Sequence, residues 1–467
     1  METRNELKLK TSMYEWQEKA VEKLLPIRIG ALYMEMGTGK TRVALEIIAR
    51  RLQKGKIARV LWLCPCSVKK NLASDLSKHC EGWENIIEIQ GLESLSGSEA
   101  LYNRLYEFAV KFHPMLIVDE SNLVKNFRAI RTQRIMAFSG NCPYRMILNG
   151  TPVSRNEADL FAQWYILDWR VLGYRSFWGF AANHLEFDEK FKHKIRRVLN
   201  VDYLTDKISP YTYTVKKADV MSLPPKRYRE FTFCLEDEQI AHYKHVMNSF
   251  LDTLIDNDDE TAIYRTFTAL QHVSSGRKII SKADQPIKHV PFFDDERDNP
   301  RLDRLLDAVN WIGNDEKIII WAKYKYEIES ICKMLEETYG NDSVREFTGD
   351  VPLKKRQKAI DDFSKHARFL VANKACGGYG LNLQFCHNMI YYSNDWDWAT
   401  RAQSEDRVYR LGQESTVMII DICADFGIDK KIARCLERKE GMTQVFKGIL
   451  TDKNKQTAKD WLEGASE

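Results

Sequence analysis

Nowhere in this 467-residue chain do two cysteines form a CxxC pair, although it holds ten of them. Cys64 and Cys66 come nearest, flanking a proline, and their spacing is wrong for a zinc knuckle. No His-rich segment supplies the other half of a metal site. Scattered among apolar residues, the thiols read as reduced core side chains in a reducing compartment. No apolar run approaches the about 20 residues needed to cross a bilayer. The opening METRNELKLK lacks the apolar centre of a secretory signal. A soluble intracellular protein is expected, with no membrane partner. Charge of one sign is missing too: 70 Lys and Arg against 66 Asp and Glu leave a net +4. That balance neither announces nor excludes nucleic acid, because a basic groove can sit inside a near-neutral total. Short-period repeats and low-complexity tracts are also absent.

What is present is a rhythm. The length suggests two to four domains. In the first half, GALYMEM, RVLWLCP, MLIVDE and RMILNGT are near-continuous apolar runs, the pattern of parallel strands covered on both faces. KTRVALEIIARRL and RTQRIMAFS between them have helical spacing, so a doubly wound α/β sheet is expected. From about 157 to 216 the rhythm gives way to a mostly helical stretch with a dense aromatic patch, FAQWYILDWRVLGYRSFWGF. Those rings either pack a helical insertion or stack nucleic-acid bases. LPPK at 223–226 reads as a hinge, because two prolines block a helix. A second helical stretch follows near 236–290, and after Pro300 the alternation resumes with KIIIWA, ARFLVAN, NMIYYS and TVMIIDI as strands. The expected organisation is two lobes, 1–220 and 221–467, each a sheet with a helical insertion.

Chemistry enters with MEMGTGKT, placed between a strand and a helix, the context a phosphate loop requires. Gly37 and Gly39 permit a tight turn that points N–H groups inward, and the helix N-terminus adds positive potential. Lys40 can reach the β- and γ-phosphates, and Thr41 can hold Mg²⁺. The usual first glycine, separated by four residues from Gly39-Lys40-Thr41, is replaced by Met34. LIVDES ends a strand on Asp119 and Glu120: the first would hold Mg²⁺, the second would orient or deprotonate the attacking water. Near the other end, EDRVYRLGQ sets Arg407 and Arg410 three residues apart. On a helix both guanidiniums would leave one face. Two such forks suit the charge that spreads over a departing γ-phosphate, where an arginine contributes roughly 10³–10⁵ in rate. They belong to the second lobe and Lys40 to the first, so ATP is expected to act as a latch between the lobes.

These motifs, in this order, resemble the superfamily-two helicases and, within them, the SWI/SNF-type DNA translocases. The resemblance runs from about 14 to 450 and rests on MYEWQEKAV, EMGTGKT, LWLCPCSVKKN, VDES, NLVKN, LNGTPVSRN, LPPK, NPRLDRLLDAV, EFTGDVPLKKRQKAI, CGGYGLNL and QSEDRVYRLGQ. It implies two tandem RecA-like domains with helical insertions. It also implies adenine contact by Gln17, phosphate and magnesium binding by Gly37, Thr38, Gly39, Lys40 and Thr41, and metal and water activation by Asp119 and Glu120. Arg407 and Arg410 are implied at the γ-phosphate, Gly380 and Gln403 at the nucleotide cleft, and Thr151 in coupling hydrolysis to motion. Asn122 stands where the family usually has histidine, which puts coupling in question. Thr38, Tyr409 and Trp398 replace a common leucine, histidine and proline without removing a catalytic group.

Phosphates of nucleic acid are expected to meet Ser67 and Lys69 in the first lobe and Thr348, Asn373 and Lys374 in the second. LKKRQK at 353–358 and KHKIRR at 192–197 are either further contacts or solvated faces. The expected activity is ATP-driven movement along double-stranded DNA. A strand-separating DNA or RNA helicase and an ATP-gated clamp of slow turnover are the alternatives. The expected cofactors are ATP and Mg²⁺. So bare a motor suits a bacteriophage or mobile-element genome, acting as a monomer in a host cytoplasm, with room for a protein that recruits it.

Overall fold

The structure is a computed structural model that describes residues 7–150, 157–187, 195–256, 260–373, 382–438, 441–451 and 455–464. The chain divides into two units, Met1–Ser222 and Leu223–Glu467.

In the first unit six strands form a parallel sheet: β1 Ile29–Met34, β2 Val60–Cys64, β3 Ile87–Gly91, β4 Met115–Asp119, β5 Tyr144–Asn149 and β6 Thr212–Val215, in the order β6-β1-β5-β4-β2-β3. Alternate side chains of a strand feed opposite faces. Leu116 and Val118 of β4 enter one apolar cluster, Met115 and Ile117 the other. Burial on both sides is why these strands read as unbroken apolar runs. Each such side chain taken from water contributes about 1.5–3 kcal/mol. Helix α1 (Glu15–Leu24) and helix α2 (Lys40–Gln53) cover the second face, packing Val21, Leu24, Val43 and Ile47.

The stretch expected to be a helical insertion is more mixed than its composition suggested. Helices α3 (Asp159–Leu172), α4 (Phe177–His184) and α5 (Val201–Ile208) are there. An antiparallel pair, Leu185–Phe187 with Ile195–Val198, interrupts them, and Thr212–Val215 returns to the main sheet beside β1. The aromatic patch mostly packs inward: Phe161, Trp164 and Phe180 are buried in the cluster on the first face. Trp178 is the exception, 58% exposed.

The second unit repeats the plan. Strands β7 Lys226–Phe233, β8 Ile318–Ala322, β9 Val344–Phe347, β10 Phe369–Asn373, β11 Asn388–Tyr391 and β12 Val417–Ala424 form a parallel sheet in the order β7-β12-β11-β8-β10-β9. Its helical elaboration is α6 (Asp237–Asp256) and α7 (Glu260–Ser274), followed by a short pair, Arg277–Ile279 with His289–Pro291. Helix α8 (Lys325–Tyr339) follows β8, and helix α9 (Trp398–Glu405) precedes β12. The two sheets confirm the α/β class and the doubly wound plan. Among the described residues no helix is long and apolar enough to cross a membrane.

Candidate active site

The glycine loop joins β1 to α2. Gly37 and Gly39 sit at φ 83° and 91°, the left-handed region that favours glycine. Thr38 between them is fully buried, and its hydroxyl donates to the Glu35 carbonyl at 2.7 Å. Lys40 Nζ donates to the Met34 carbonyl at 2.8 Å, so the ammonium lies folded over the loop it belongs to. The far side of the loop is fixed by the sheet edge. The Glu35 N–H donates to the Val215 carbonyl at 3.0 Å, and the Lys217 N–H donates to Glu35 Oε2 at 2.8 Å.

Helix α1 delivers Gln17 to the same loop. Its Oε1 accepts from the Tyr14 N–H at 3.1 Å, and its Nε2 donates to the Thr38 carbonyl at 3.0 Å. Those partners set which end of the carboxamide is oxygen and which is nitrogen. A primary carboxamide has two N–H donors and two lone pairs. One of each remains, the pattern that matches adenine at N6 and N7. Trp16 Nε1 donates to the same Thr38 carbonyl at 3.1 Å, a role the sequence reading missed although the residue adjoins Gln17. The Trp16 ring also stacks on Tyr14, centroids 4.5 Å apart.

Strand β4 ends on Asp119, two places from β1 with β5 between them. The Glu120 N–H donates to Asp119 Oδ1 at 2.9 Å, and Glu120 itself holds φ 49°. A non-glycine residue in that region is uncommon and marks a position the surroundings over-determine. Burial and the neighbouring Glu120 push the Asp119 carboxyl up to about 7, with the Lys40 ammonium pulling the other way. Paired carboxylates against one lysine, beside a loop of inward N–H groups, fit a phosphate chain carrying a divalent cation. Behind the acids a buried chain of hydrogen bonds ties them to α3. Asn149 Nδ2 donates to Ser121 Oγ at 3.4 Å, Ser121 Oγ donates to Gln163 Oε1 at 2.6 Å, and Gln163 Nε2 donates to the Asp159 carbonyl at 2.9 Å. Gln163 is a polar residue inside the aromatic patch, and nothing in its sequence context signals this role. Asn122 keeps Oδ1 buried with no hydrogen-bond partner among the described residues. Thr151 lies outside the described residues.

In the second unit Arg407 and Arg410 depart from expectation. Helix α9 stops at Glu405, so the pair does not share a helical face. Turns carry it instead: the Arg407 N–H donates to the Ser404 carbonyl at 3.3 Å and the Arg410 N–H to the Val408 carbonyl at 3.1 Å. Gly412 at φ 94° lets the chain reverse, as no helix would. Arg407 is 5% exposed, whereas Arg410 is half-buried with Nη1 on Asn382 Oδ1. The Leu383 N–H donates to the Arg407 carbonyl at 3.0 Å, and Gln413 Nε2 donates to the Gln384 and Cys386 carbonyls, both at 3.0 Å. The arginine segment is thereby laced to residues 382–386. Gln403 lies half-buried on α9, and Gly380 is outside the described residues.

The nucleic-acid candidates come from both units. Ser67 occupies a half-buried turn, Cys66–Val68. Lys69 Nζ donates to Gln90 Oε1 at 3.4 Å, and Asn373 Nδ2 donates to the Lys323 carbonyl at 2.7 Å. Thr348 is buried, and its hydroxyl donates to Glu346 Oε1 at 2.7 Å. LKKRQK divides, since Arg356 is buried and donates to the Gly349 carbonyl at 2.6 Å while Lys355 and Lys358 face solvent. Of KHKIRR, Arg196 and Arg197 are exposed on a hairpin strand. Lys374 and residues 192–194 lie outside the described residues.

Residues 87–284 match the SNF2-related domain, residues 300–412 the helicase conserved C-terminal domain, and residues 10–152 the res subunit of type III restriction enzymes. The chain is 26% identical over 446 residues to an uncharacterized ATP-dependent helicase of Mycoplasma genitalium, covering 91% of this chain and 40% of that protein. It is 24% identical over 478 residues to the DNA repair and recombination protein RAD54B of Gallus gallus, covering 87% of this chain and 50% of that protein. It thus spans half or less of these relatives. The helicase domain of Pyrococcus furiosus Hef shares the fold at a TM-score of 0.55 and 13% identity, over 91% of this chain and 98% of that one.

Proposed function

We propose, from the match of residues 87–284 to the SNF2-related domain and of residues 300–412 to the helicase conserved C-terminal domain, that this chain is an ATP-driven motor that moves along double-stranded DNA. The observation that supports it most is the meeting, at one end of the first sheet, of Gln17 on the glycine loop, Lys40 folded over it, and the strained Asp119–Glu120 pair. In this reading Gln17 reads the adenine edge, and Gly37, Thr38 and Gly39 wrap the phosphates. Lys40 neutralises the β- and γ-oxygens. Thr41 and Asp119 are the residues that would hold Mg²⁺, which supplies Lewis-acid charge neutralisation when bound. Glu120 accepts the proton of the water that attacks the γ-phosphorus, while the bridging oxygen leaves with ADP. Arg407 and Arg410 are assigned to the γ-phosphate, Gly380 and Gln403 to the nucleotide, and Thr151 to coupling. Ser67, Lys69, Thr348, Asn373 and Lys374 are assigned to DNA phosphates, which makes binding sequence-tolerant and sensitive to salt.

The test is the ATPase rate with blunt duplex, forked duplex, single strand and RNA side by side. Greater stimulation by blunt duplex, together with displacement of a third strand from a triplex and no unwinding of the duplex, is the expected result. Stronger stimulation by single strands would turn the reading to a strand-separating helicase. One observation favours a second reading. The buried Oδ1 of Asn122 accepts no hydrogen bond among the described residues, which supports weaker coupling of the acidic pair to its surroundings. Hydrolysis indifferent to every nucleic acid would establish an ATP-gated clamp instead.

A further inference from the structure

One buried carboxylate pins both the first strand of the second unit and the end of α9. Glu405 is 1% exposed and accepts three side-chain hydrogen bonds: from Lys226 Nζ at 2.8 Å, Tyr228 Oη at 3.0 Å and Arg401 Nε at 2.8 Å. Arg401 is equally enclosed. Its Nη1 donates to Asn394 Oδ1 and Asp421 Oδ1, both at 2.6 Å, its Nη2 donates to Asp421 Oδ2 at 3.0 Å, and it lies 3.4 Å from the centre of the Tyr391 ring. Burial raises the Glu405 pKa, but Arg401 and Lys226 outweigh it and hold the carboxyl below its ordinary value. Buried ion networks of this kind add little net stability over apolar packing of equal volume, whereas they fix geometry.

Lys226 reaches beyond the carboxylate. Its ammonium also stands 4.6 Å from the centre of the Tyr409 ring, and Tyr409 sits between Arg407 and Arg410. The Tyr409 N–H donates to the Glu405 carbonyl at 2.9 Å, closing a small loop of contacts around one cation. Lys226 is the first residue of β7, directly after Leu223, Pro224 and Pro225. The place where the chain enters this unit is thereby tied to the segment that carries both arginines.

We infer that Lys226 is a positioning residue for ATP hydrolysis: through Glu405 and Tyr409 it fixes the turn that carries Arg407 and Arg410. The inference rests on the motor reading and deepens it. Lys226 touches no nucleotide in this scheme, so its loss acts on turnover and not on binding. A displacement of about 1 Å in a catalytic group can cost 10²-fold in rate.

The experiment is steady-state ATP hydrolysis by the full chain and three variants. Lys226→Met keeps the length of the side chain and removes its charge. It is expected to lower kcat by about ten-fold or more while leaving KM for ATP within about two-fold. Lys226→Arg, which can donate to the same carboxylate, is expected to recover most of kcat. Tyr409→Leu leaves all three partners of Glu405 in place and is expected to lower kcat likewise, even where Lys226→Met folds poorly. Wild-type kcat in both Lys226→Met and Tyr409→Leu would overturn the inference. So would a lowered Tm in Lys226→Met with wild-type kcat in Tyr409→Leu, which would make the lysine a structural staple only. A wild-type protein that hydrolyses no ATP would overturn the motor reading as well, so the two failures are distinguishable.

Discussion

Gln17 Nε2 lies so close above Gly39 that a Cβ built on that glycine would stand 2.1 Å from it. Gln17 and Gly39 are therefore in mutual van der Waals contact. Gly39 also holds φ 91°, which costs an L-residue about 1–2 kcal/mol before any clash. Gly39→Ala is expected to expel the Gln17 carboxamide from the loop and abolish ATP binding. Binding of a fluorescent ATP analogue checks it, and unchanged affinity would show that the loop does not need this packing.

Glu120→Gln preserves shape and removes the carboxylate proposed as the base. ATP binding is expected to persist while turnover falls by at least about 10²-fold, the usual contribution of a general base. Single-turnover hydrolysis separates the two. A variant that hydrolyses at the normal rate would take Glu120 out of the chemistry.

Arg407 and Arg410 should part company on substitution, because one is buried and the other half-exposed. Arg410→Ala is expected to lower turnover by roughly 10³-fold with an unchanged unfolding midpoint. Arg407→Ala is expected to lower turnover and also to cost about 1–3 kcal/mol of stability through lost packing. Urea unfolding followed alongside ATPase assays distinguishes them. Normal hydrolysis by Arg410→Ala would remove it from the γ-phosphate.

His272 gives the second unit a pH dependence of known sign. It is buried, stacks on Tyr324 and His289 at 4.1 and 4.5 Å, and shares a 2.9 Å hydrogen bond between Nδ1 and Tyr326 Oη. Burial first, and then His289, Lys323 and Arg277, lowers its pKa to about 3. Below pH 6.5 the unfolded chain takes up a proton that the folded one refuses. Its contribution is thus complete above pH 6.5 and lost as the pH falls toward 3, by at most about 1.4 kcal/mol per pH unit. Urea unfolding of His272→Phe between pH 7.5 and 5 is expected to show a shallower loss than the wild type. Identical slopes would refute the assignment.

The eight inner strands of the two sheets were legible as apolar runs, and the four edge strands were not. β3 and β6 flank the first sheet, β7 and β9 the second. An edge strand is covered on fewer sides, so polar residues interrupt it: Glu88 and Gln90 in β3, and Arg227, Arg229 and Glu230 in β7. The same physics hid Thr212–Val215 inside a stretch that reads as helical. The glycine loop and the acidic pair were legible because their chemistry depends on residues adjacent in sequence. The arginine segment was legible in composition but not in conformation, since its path depends on Gln413 and Gly412 reversing the chain onto residues 382–386. Half of the Glu405 network was hidden outright. Arg401 precedes Glu405 by one helical turn on α9, but Lys226 and Tyr228 come from β7, and no local spacing joins them to the carboxylate.

Strand β6 lies against β1 in the first sheet, pairing Thr212 with Ala31. During synthesis the phosphate loop leaves the ribosome early, yet its outer neighbour is among the last parts of that unit to appear. Until Val215 emerges, Glu35 lacks the carbonyl that receives its amide, and one flank of β1 stays open. A nascent chain stalled before that point presents an unfinished sheet edge to chaperones and to other copies of itself.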